Sequence, residues 1–469
     1  MKPMSKKVLL VNPKRESVVA HGLPHLGLAL LAAVLKNAGN EVMVVDYLLA
    51  PNTPPIAHFL SNFSPDIVGI STHTAIVSKV FRFINAVCDY NPRIPIIVGG
   101  PHATLYPEDF LRDGRVSYIM RGESEEKISE IVKSAIKINP PEIIDCQPVD
   151  VQKLPFPDFT CFYGFKNIEA LPLSTSRGCP HNCSFCAVQA LFSRTYRWRE
   201  ISTCCEEVIN ARKQLPNLKA INIVDDNSTA LKERFRDFLL EYIKKIDLPL
   251  GFCYIRADSI DGEILTLLKK TKTTSVCVIL EHAHPEVYKH IDKGEKLADI
   301  IKAAHLIKEY GLGLETGFII GLPYDTFERT KCSVELAKRL GAGRIFWNML
   351  IPYKGTQVRE WFLKNGKLLG EADKTSLVDF SCFCDEPAAE TDDMTSEDRK
   401  KAYFYAMLET NSYVLMMKDI LKDIPRLFIT AHKYGLYKTL AKNLIFQFVR
   451  LPLRLRGRIL RTINDRGAA

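Results

Sequence analysis

Short apolar runs recur through the first 145 residues at a spacing that leaves room for one helix between each pair. VLLVN (8–12), EVMVVD (41–46), DIVGIS (66–71), IPIIVGG (94–100) and SYIMRG (117–122) read as strands. Between them, apolar residues fall at helical spacing, as at Leu26, Leu30, Leu31, Val34 and Leu35. Strands apolar on both faces, alternating with helices, predict a doubly wound parallel sheet over residues 1–145. Such sheets bind ligands beyond the C-terminal ends of their strands. Those ends carry Asn12-Pro13, Ser71-Thr72-His73 and Gly99-Gly100-Pro101-His102.

A Pro-rich stretch from Asn139 to Pro157 breaks the pattern, and residues 146–168 read as a linker. A second series follows over residues 169–365: LPLST (171–175), AINIVDD (220–226), LGFCYI (250–255), SVCVILE (275–281), GLETGFIIG (313–321) and RIFWNMLIP (344–352). Six β/α units of this length predict a partial (β/α)6 barrel with its chemistry at the C-terminal rim. Beyond residue 365 the strand pattern stops, so residues 366–469 are predicted to be mostly helical, with an acidic patch from Asp385 to Asp398 and a basic tail.

Composition adds two constraints. The chain has 469 residues, 46% hydrophobic and 25% charged, enough to bury cores without disulfides and too apolar for a disordered chain. The opening apolar stretch stops at Asn12-Pro13, too short for a secretory signal, and no apolar run is long enough to span a bilayer, so a cytoplasmic location is expected. The net charge of +9 is concentrated at one end. Residues 431–464 hold eight Lys or Arg and no Asp or Glu, which leaves the remainder near neutral and argues against a general nucleic-acid surface.

Thirteen cysteines in a reducing compartment point to thiols and metal ligands. Three are grouped, in Ser176-Arg177-Gly178-Cys179-Pro180-His181-Asn182-Cys183-Ser184-Phe185-Cys186, directly after the first strand of the second series. A C-x3-C-x2-C loop can place three thiolates at three corners of an iron–sulfur cube and leave the fourth iron open. The alternatives are zinc, with His181 as a fourth ligand, and unrelated thiols. Cys204-Cys205 reads as helix packing, and Cys382 with Cys384 is too small a set for a second cluster.

This triplet, with an aromatic before its last cysteine and at the end of the first strand of six, resembles the radical S-adenosylmethionine (SAM) superfamily. The resemblance implies a [4Fe-4S] cluster on Cys179, Cys183 and Cys186. It also implies chelation of the open iron by SAM, and one-electron cleavage of SAM to a 5′-deoxyadenosyl radical that abstracts hydrogen from unactivated carbon. Later segments fit the same pattern. Asp225-Asp226 is similar to the family's carboxylate pair for the SAM ammonium; Arg256 and Glu281, at the third and fourth strand ends, stand where the SAM carboxylate and ribose would be met. Gly317 to Pro323, with Ile319 and Gly321, resembles the fifth-strand segment that lies against adenine, and Ile351 to Thr356 resembles the segment after strand six. Arg197-x-Arg199 matches the R-x-R after the cluster loop, with Glu200 replacing the usual Ser. Taken singly, these residues are also ordinary helix caps, turns and surface ion pairs.

The N-terminal sheet carries Gly22-Leu23-Pro24-x-Leu26-Gly27-Leu28, Pro65 to Ser71, Val98 to Thr104 and Arg121-Gly122-Glu123. A Rossmann-like, B12-binding type of domain followed by the barrel is similar to the cobalamin-binding radical SAM family, which includes cyclases and P-methylases; the resemblance spans roughly residues 6–365. It implies cobalamin held near Ser71, Thr72, His73, Gly99, Gly100 and His102. The D-x-H-x-x-G motif that supplies a cobalt-ligating His is absent: the loop after the first strand reads Asn12-Pro13-Lys14-Arg15-Glu16-Ser17. The rival reading is a vestigial domain that binds nothing.

The activity so implied is C-methylation of an unactivated carbon of a small, lipid-like or secondary-metabolite substrate, fed by an external one-electron reductant. A ring-forming, ring-contracting or oxidative cyclase that uses cobalamin without methyl transfer is the alternative within the family, and a non-catalytic metal-binding scaffold is the alternative outside it. Methylthiotransfer is disfavoured because the first 145 residues contain a single cysteine, Cys88. In the tail, Leu444, Ile445, Phe448, Leu451, Leu453 and Leu455 interleave with Arg450, Arg454, Arg456 and Arg458. That mixture suggests peripheral contact with the inner membrane face; a helical hairpin packed on the barrel is the other reading.

Overall fold

The computed structural model describes residues 5–13, 23–49, 52–251, 254–369, 387–410 and 420–450. In its first half, strands β1 (Lys7–Asn12), β2 (Glu41–Asp46), β3 (Ile67–Ser71), β4 (Ile96–Gly99), β5 (Tyr118–Arg121) and β6 (Glu142–Asp145) form one parallel sheet. Their order is β2-β1-β3-β4-β5-β6, so the chain reverses direction across the sheet between β1 and β3. Helices α1 (Leu26–Asn37), α2 (Ile56–Phe63), α3 (Val77–Tyr90), α4 (Pro101–Leu105), α5 (Glu108–Leu111) and α6 (Ile128–Ser134) connect the strands.

The two-faced pattern of the strands decides which helix covers which side. Val8 and Leu10 of β1 join Leu28, Ala32 and Leu35 of α1 and Ile128 and Val132 of α6 in one apolar cluster. Leu9 and Val11, one residue out of phase, join Phe59 and Leu60 of α2 and Val80 and Ile84 of α3 in another. β6 has no counterpart among the runs expected from sequence. It is an edge strand of four residues, none fully buried, so it lacks an apolar run.

The second half consists of β7 (Ala170–Leu173), β8 (Ser176–Gly178), α7 (Val188–Phe192), β9 (Tyr196–Trp198), α8 (Ile201–Gln214), β10 (Ala220–Ile223), α9 (Lys232–Lys245), α10 (Gly262–Lys270), β11 (Ser275–Glu281), α11 (Pro285–Tyr288), α12 (Leu297–Glu309), β12 (Gly313–Ile320), α13 (Phe327–Leu340), β13 (Arg344–Met349) and α14 (Gln357–Asn365). β7 pairs with β10, and β11, β12 and β13 pair in sequence, all parallel. Of the strand expected over 250–255, residues 252 and 253 lie outside the described residues; the described ones form two bridges, Ile221 to Leu250 and Tyr254 to Cys277, which join the two groups into six parallel segments in chain order. Beyond lie a short antiparallel pair, β14 (Lys367–Leu368) with β15 (Ala389–Glu390), and helices α15 (Ser396–Glu409), α16 (Ile420–Tyr434) and α17 (Tyr437–Arg450). α15 starts with a Thr395–Asp398 capping box, and its C-cap Thr410 accepts a hydrogen bond from the Trp347 indole at 3.0 Å.

The linker is not a free tether. Phe162 bridges to Val44 of β2, Asp158 pairs with Lys36 at 2.7 Å, and Phe159 and Phe162 enter the same apolar cluster as α1 and the barrel strands. One continuous core therefore fixes the two halves against each other.

Candidate cofactor sites

The cysteine loop hangs from a hairpin that the sequence pattern does not announce. β8 and β9 pair antiparallel with Arg177 opposite Arg197, and residues 179–195 form the excursion between them. Gly178 turns into the loop at φ +85°, and a Cβ there would stand 2.2 Å from the Thr195 carbonyl oxygen. The Gly178 N–H donates to Asp226 Oδ2 at 2.8 Å.

A second segment straps the loop from outside. Ser184 N–H donates to the Ile291 carbonyl at 2.9 Å, Ser184 Oγ donates to the His290 carbonyl at 3.0 Å, and Asn182 Nδ2 donates to Asp292 Oδ2 at 2.6 Å. All three loop cysteines are half-buried, and Asn227 Nδ2 donates to Cys179 Sγ at 3.6 Å. Burial, and then the neighbouring thiols and Glu281, push Cys183 up to about 12; burial pushes Cys186 up to about 11. Buried thiols such as Cys183 and Cys186 are stabilised as thiolates by a cation placed between them, as a cluster's irons would be. Among the described residues no three His, Cys, Asp or Glu side chains converge as tightly as a single ion's shell. A cube, whose three protein-held irons are at separate corners, does not require that convergence.

Next to this loop is a network of charges, mostly buried, with the exposed Asp258 at its edge. Glu281 ends β11 at φ +66°, and its carboxylate is 3.4 Å from Lys293 Nζ. Lys293 also lies 3.6 Å from Glu295, and Glu295 lies 3.6 Å from Arg256 Nη1. Arg256 pairs with Asp258 at 2.8 Å and donates to the Lys293 carbonyl. Burial pushes Glu281 upward against the pull of Lys293. His181, in the cysteine loop, is held below its ordinary value by burial and then by Arg256. Within the network the buried carboxylates Glu281 and Glu295 balance Lys293 and Arg256, and the exposed Asp258 takes the outer side of Arg256. Lys293 and Glu295 were not foreseen; one basic and one acidic residue in a polar loop carry no periodic signal.

The carboxylate pair divides its work. Asp225 is fully committed to the connection between β7 and β8. It accepts from Thr175 N–H (2.7 Å), Thr175 Oγ1 (2.6 Å) and Ser176 Oγ (2.7 Å), and burial pushes its pKa up. Three of its acceptor positions thus hold the strand that carries the cysteines, a structural role that the sequence pattern did not indicate. Asp226 makes only the Gly178 bond among the described residues and feels the Cys186 thiol. Ile319 is half-buried and packs, as Phe185 of the loop does, against the apolar cluster that includes Val287, Leu322 and Leu350. Gly321 lies against α15. At φ +84° its open side faces Arg399 of α15, where a Cβ would stand 2.0 Å from Nη1.

A second site opens where the two halves meet. A mostly apolar cleft of about 260 Å³ runs from the sheet, at Leu10, Gly69 and Ile97, along Leu28 and Leu31 of α1 to Arg177, Leu191 and Phe192 of the cysteine hairpin. Ser71, Gly99 and Gly100 line it as expected from the strand ends; Thr72, His73 and His102 do not. Thr72 is a fully buried staple that donates to the Gly99 carbonyl (2.8 Å) and accepts from Ala103 N–H (3.0 Å). His102 is fully buried, 3.1 Å from Thr74 Oγ1 and 3.2 Å from Asp109, with its ring stacked on Tyr106. His73 packs its ring 5.9 Å from that of His25.

His25, which was not singled out, lines the cleft. Its Nδ1 accepts the Leu28 N–H and caps α1, so Nε2 is the nitrogen that faces Ser71 Oγ, at 3.0 Å. It occupies the unspecified position of the Leu-Pro-x-Leu segment, and its neighbours would have been the only clue. The cleft has room for a flat aromatic group with its sugar, and the strand residues Gly69 and Gly99, with Gly100 just beyond β4, line its floor. Residues 14–17 of the first loop, Gly22, Cys382 and Cys384 lie outside the described residues.

Residues 17–132 match the B12 binding domain family, and residues 173–337 match the radical SAM superfamily. The chain joins a B12-binding domain to a radical SAM domain. It is 28% identical over 448 residues to an uncharacterized methyltransferase of Pyrococcus horikoshii, covering 89% of this chain and 94% of that one. An anaerobic magnesium-protoporphyrin IX monomethyl ester cyclase of Rubrivivax gelatinosus is 26% identical over 382 residues, with 74% and 68% covered. Among solved structures, the radical SAM methyltransferase TsrM of Kitasatospora setae, with cobalamin and a [4Fe-4S] cluster bound, shares the fold at TM-score 0.60 and 18% identity, over 76% of this chain and 74% of that one. In the B12-binding domain the order reversal between β1 and β3 lies beside the cleft, and in the radical SAM domain the cysteines follow the first strand.

Proposed function

We propose that this chain is a cobalamin-dependent radical SAM enzyme that transfers a methyl group to an unactivated carbon of a small molecule. The observation that carries the reading is the cleft between the halves, whose wall is partly the hairpin that bears Cys179, Cys183 and Cys186. When bound, the [4Fe-4S] cluster, SAM and cobalamin supply one-electron cleavage of SAM, hydrogen removal from carbon and a transferable methyl group.

The protein's own residues hold and shield. Cys179, Cys183 and Cys186 are assigned to the cluster. Asp226, Arg256, Glu281 and Ile319 are assigned to SAM, with Lys293 and Glu295 completing the charge network; Ser71, Gly99, Gly100 and His25 are assigned to the corrinoid. Asp225, Thr72 and His102 fasten strands and helices behind these groups. The methyltransferase relative that covers most of the chain, and the methyltransferase fold of TsrM, support methyl transfer over cyclisation.

A lipid-like or secondary-metabolite substrate, an external one-electron reductant and peripheral contact of the basic tail with an anionic membrane belong to the same reading. The tail beyond residue 450 lies outside the described residues, and no described helix is long and apolar enough to cross a membrane. The test is anaerobic reconstitution with iron, sulfide, hydroxocobalamin and a reductant, with methyl-labelled SAM and candidate substrates. 5′-Deoxyadenosine together with labelled product is expected. 5′-Deoxyadenosine with an unlabelled, cyclised product would move the assignment to the cyclases, and formation of neither would leave a metal-binding scaffold.

A further inference from the structure

Arg177 belongs to both sites at once. It lines the cleft, and it immediately precedes Gly178-Cys179. Its guanidinium forks between two carboxylates of the other half: Nη1 donates to Glu123 Oε2 at 2.7 Å and Nη2 to Glu125 Oε1 at 2.8 Å. Both glutamates also line the cleft, and both are buried. A planar fork that satisfies two carboxylates has little freedom to swing, so its backbone is fixed wherever the glutamates are fixed.

The hairpin geometry sharpens this. Arg177 and Arg197 stand directly opposite on β8 and β9, where like charges repel. Glu123 lies between them, taking Arg177 on one oxygen and ion-pairing with Arg197 as well. Arg197 is also held by the Val149 carbonyl at 2.6 Å, and Glu123 accepts from Val149 N–H at 3.2 Å. The ladder of the strand pair that opens into the cysteine loop is thus reinforced by a carboxylate of the cleft wall. From Arg177 the chain passes to Gly178, whose N–H is held by Asp226, and then to Cys179, whose sulfur is met by Asn227.

We propose that Arg177 is a positioning residue that couples the two cofactor sites, so that a corrinoid whose nucleotide end enters the cleft sets the cysteine loop in the arrangement that accepts SAM. The inference rests on the functional reading above. A ligand in the cleft removes water from around Glu123, Glu125 and Arg177. It thereby strengthens their ion pairs and narrows the positions open to the hairpin.

The test is the dissociation constant of SAM for anaerobically reconstituted protein, titrated by its effect on the reduced cluster's electron-paramagnetic spectrum with and without bound hydroxocobalamin. The ratio of the two constants is the coupling factor, and a uniform loss of affinity cancels from it. For the unmodified chain cobalamin is expected to tighten SAM by about five- to tenfold. Arg177→Met is expected to bring the ratio close to one. Glu125→Gln removes one arm while leaving the Glu123–Arg197 seam intact, and is expected to reduce the ratio several-fold. An unchanged ratio in Arg177→Met, or a ratio of one in the unmodified chain with both ligands bound, would overturn the coupling alone. An unmodified chain that binds neither SAM nor cobalamin overturns the functional reading, and the coupling with it.

Discussion

At the scale of single residues, a polar side chain at a strand end can serve a ligand or serve the fold, and hydrogen-bond accounting separates the two. Thr72 and His102 have the sequence position of ligand contacts, yet their polar atoms are engaged by Gly99, Ala103, Thr74 and Asp109. His102 has a measurable consequence. Burial depresses its pKa to about 4, well below the ordinary histidine value of 6.5. The unfolded chain therefore binds a proton between these values that the folded chain refuses, so stability is full above pH 6.5 and falls as pH drops toward 4. The loss is of order 2–3 kcal/mol. His102→Gln should flatten that part of the curve of unfolding free energy against pH; an unaltered slope between pH 6.5 and 4 would show that another group dominates it.

Sequence was informative about residue chemistry and less so about which atom does what. The cysteine triplet is legible because three soft donors at fixed spacing have few other uses. Asp225 and Asp226 look equivalent in sequence, but β7 and β8 turn one toward Thr175 and Ser176 and leave the other beside Gly178. His25 was invisible because an N-cap histidine is unusual and its partner, Ser71, is 46 residues away.

At the scale of elements, β1 to β5 were legible from their continuous apolar runs, since strands buried on both faces cannot afford polar residues. The hairpin of β8 and β9 was not. SRG and YRW are three-residue strands with charged centres, and what stabilises them is the Glu123 carboxylate from the other half, a contact no local pattern encodes. In the third barrel strand the apolar run is present, and among its described residues Leu250 and Tyr254 form the bridges. The hairpin turns at Gly178, so Gly178→Ala tests it. At φ +85° with the Thr195 carbonyl in the way, the substitution should strain this element by about 1–3 kcal/mol. Iron and sulfide incorporation should fall while far-ultraviolet circular dichroism is retained. Full incorporation would mean that the loop does not depend on this turn.

At the scale of the whole molecule, the linker, the continuous core and the Glu123–Arg177–Arg197 seam bring the corrinoid-type cleft and the cysteine loop to the same boundary. The order of two α/β units was readable from the alternation of patterns. Their contact was not, because it depends on a few charged residues and on Phe159 and Phe162 in a stretch that reads as a spacer. The central claim is that the two cofactor sites share this boundary. Electron-paramagnetic spectroscopy of cobalamin-loaded, dithionite-reduced protein with and without SAM tests it most directly. The account predicts a reduced-cluster signal that shifts on adding SAM and a cob(II)alamin signal broadened or split by magnetic coupling to that cluster. Two independent signals indifferent to SAM, or a chain that retains no corrinoid, would contradict it.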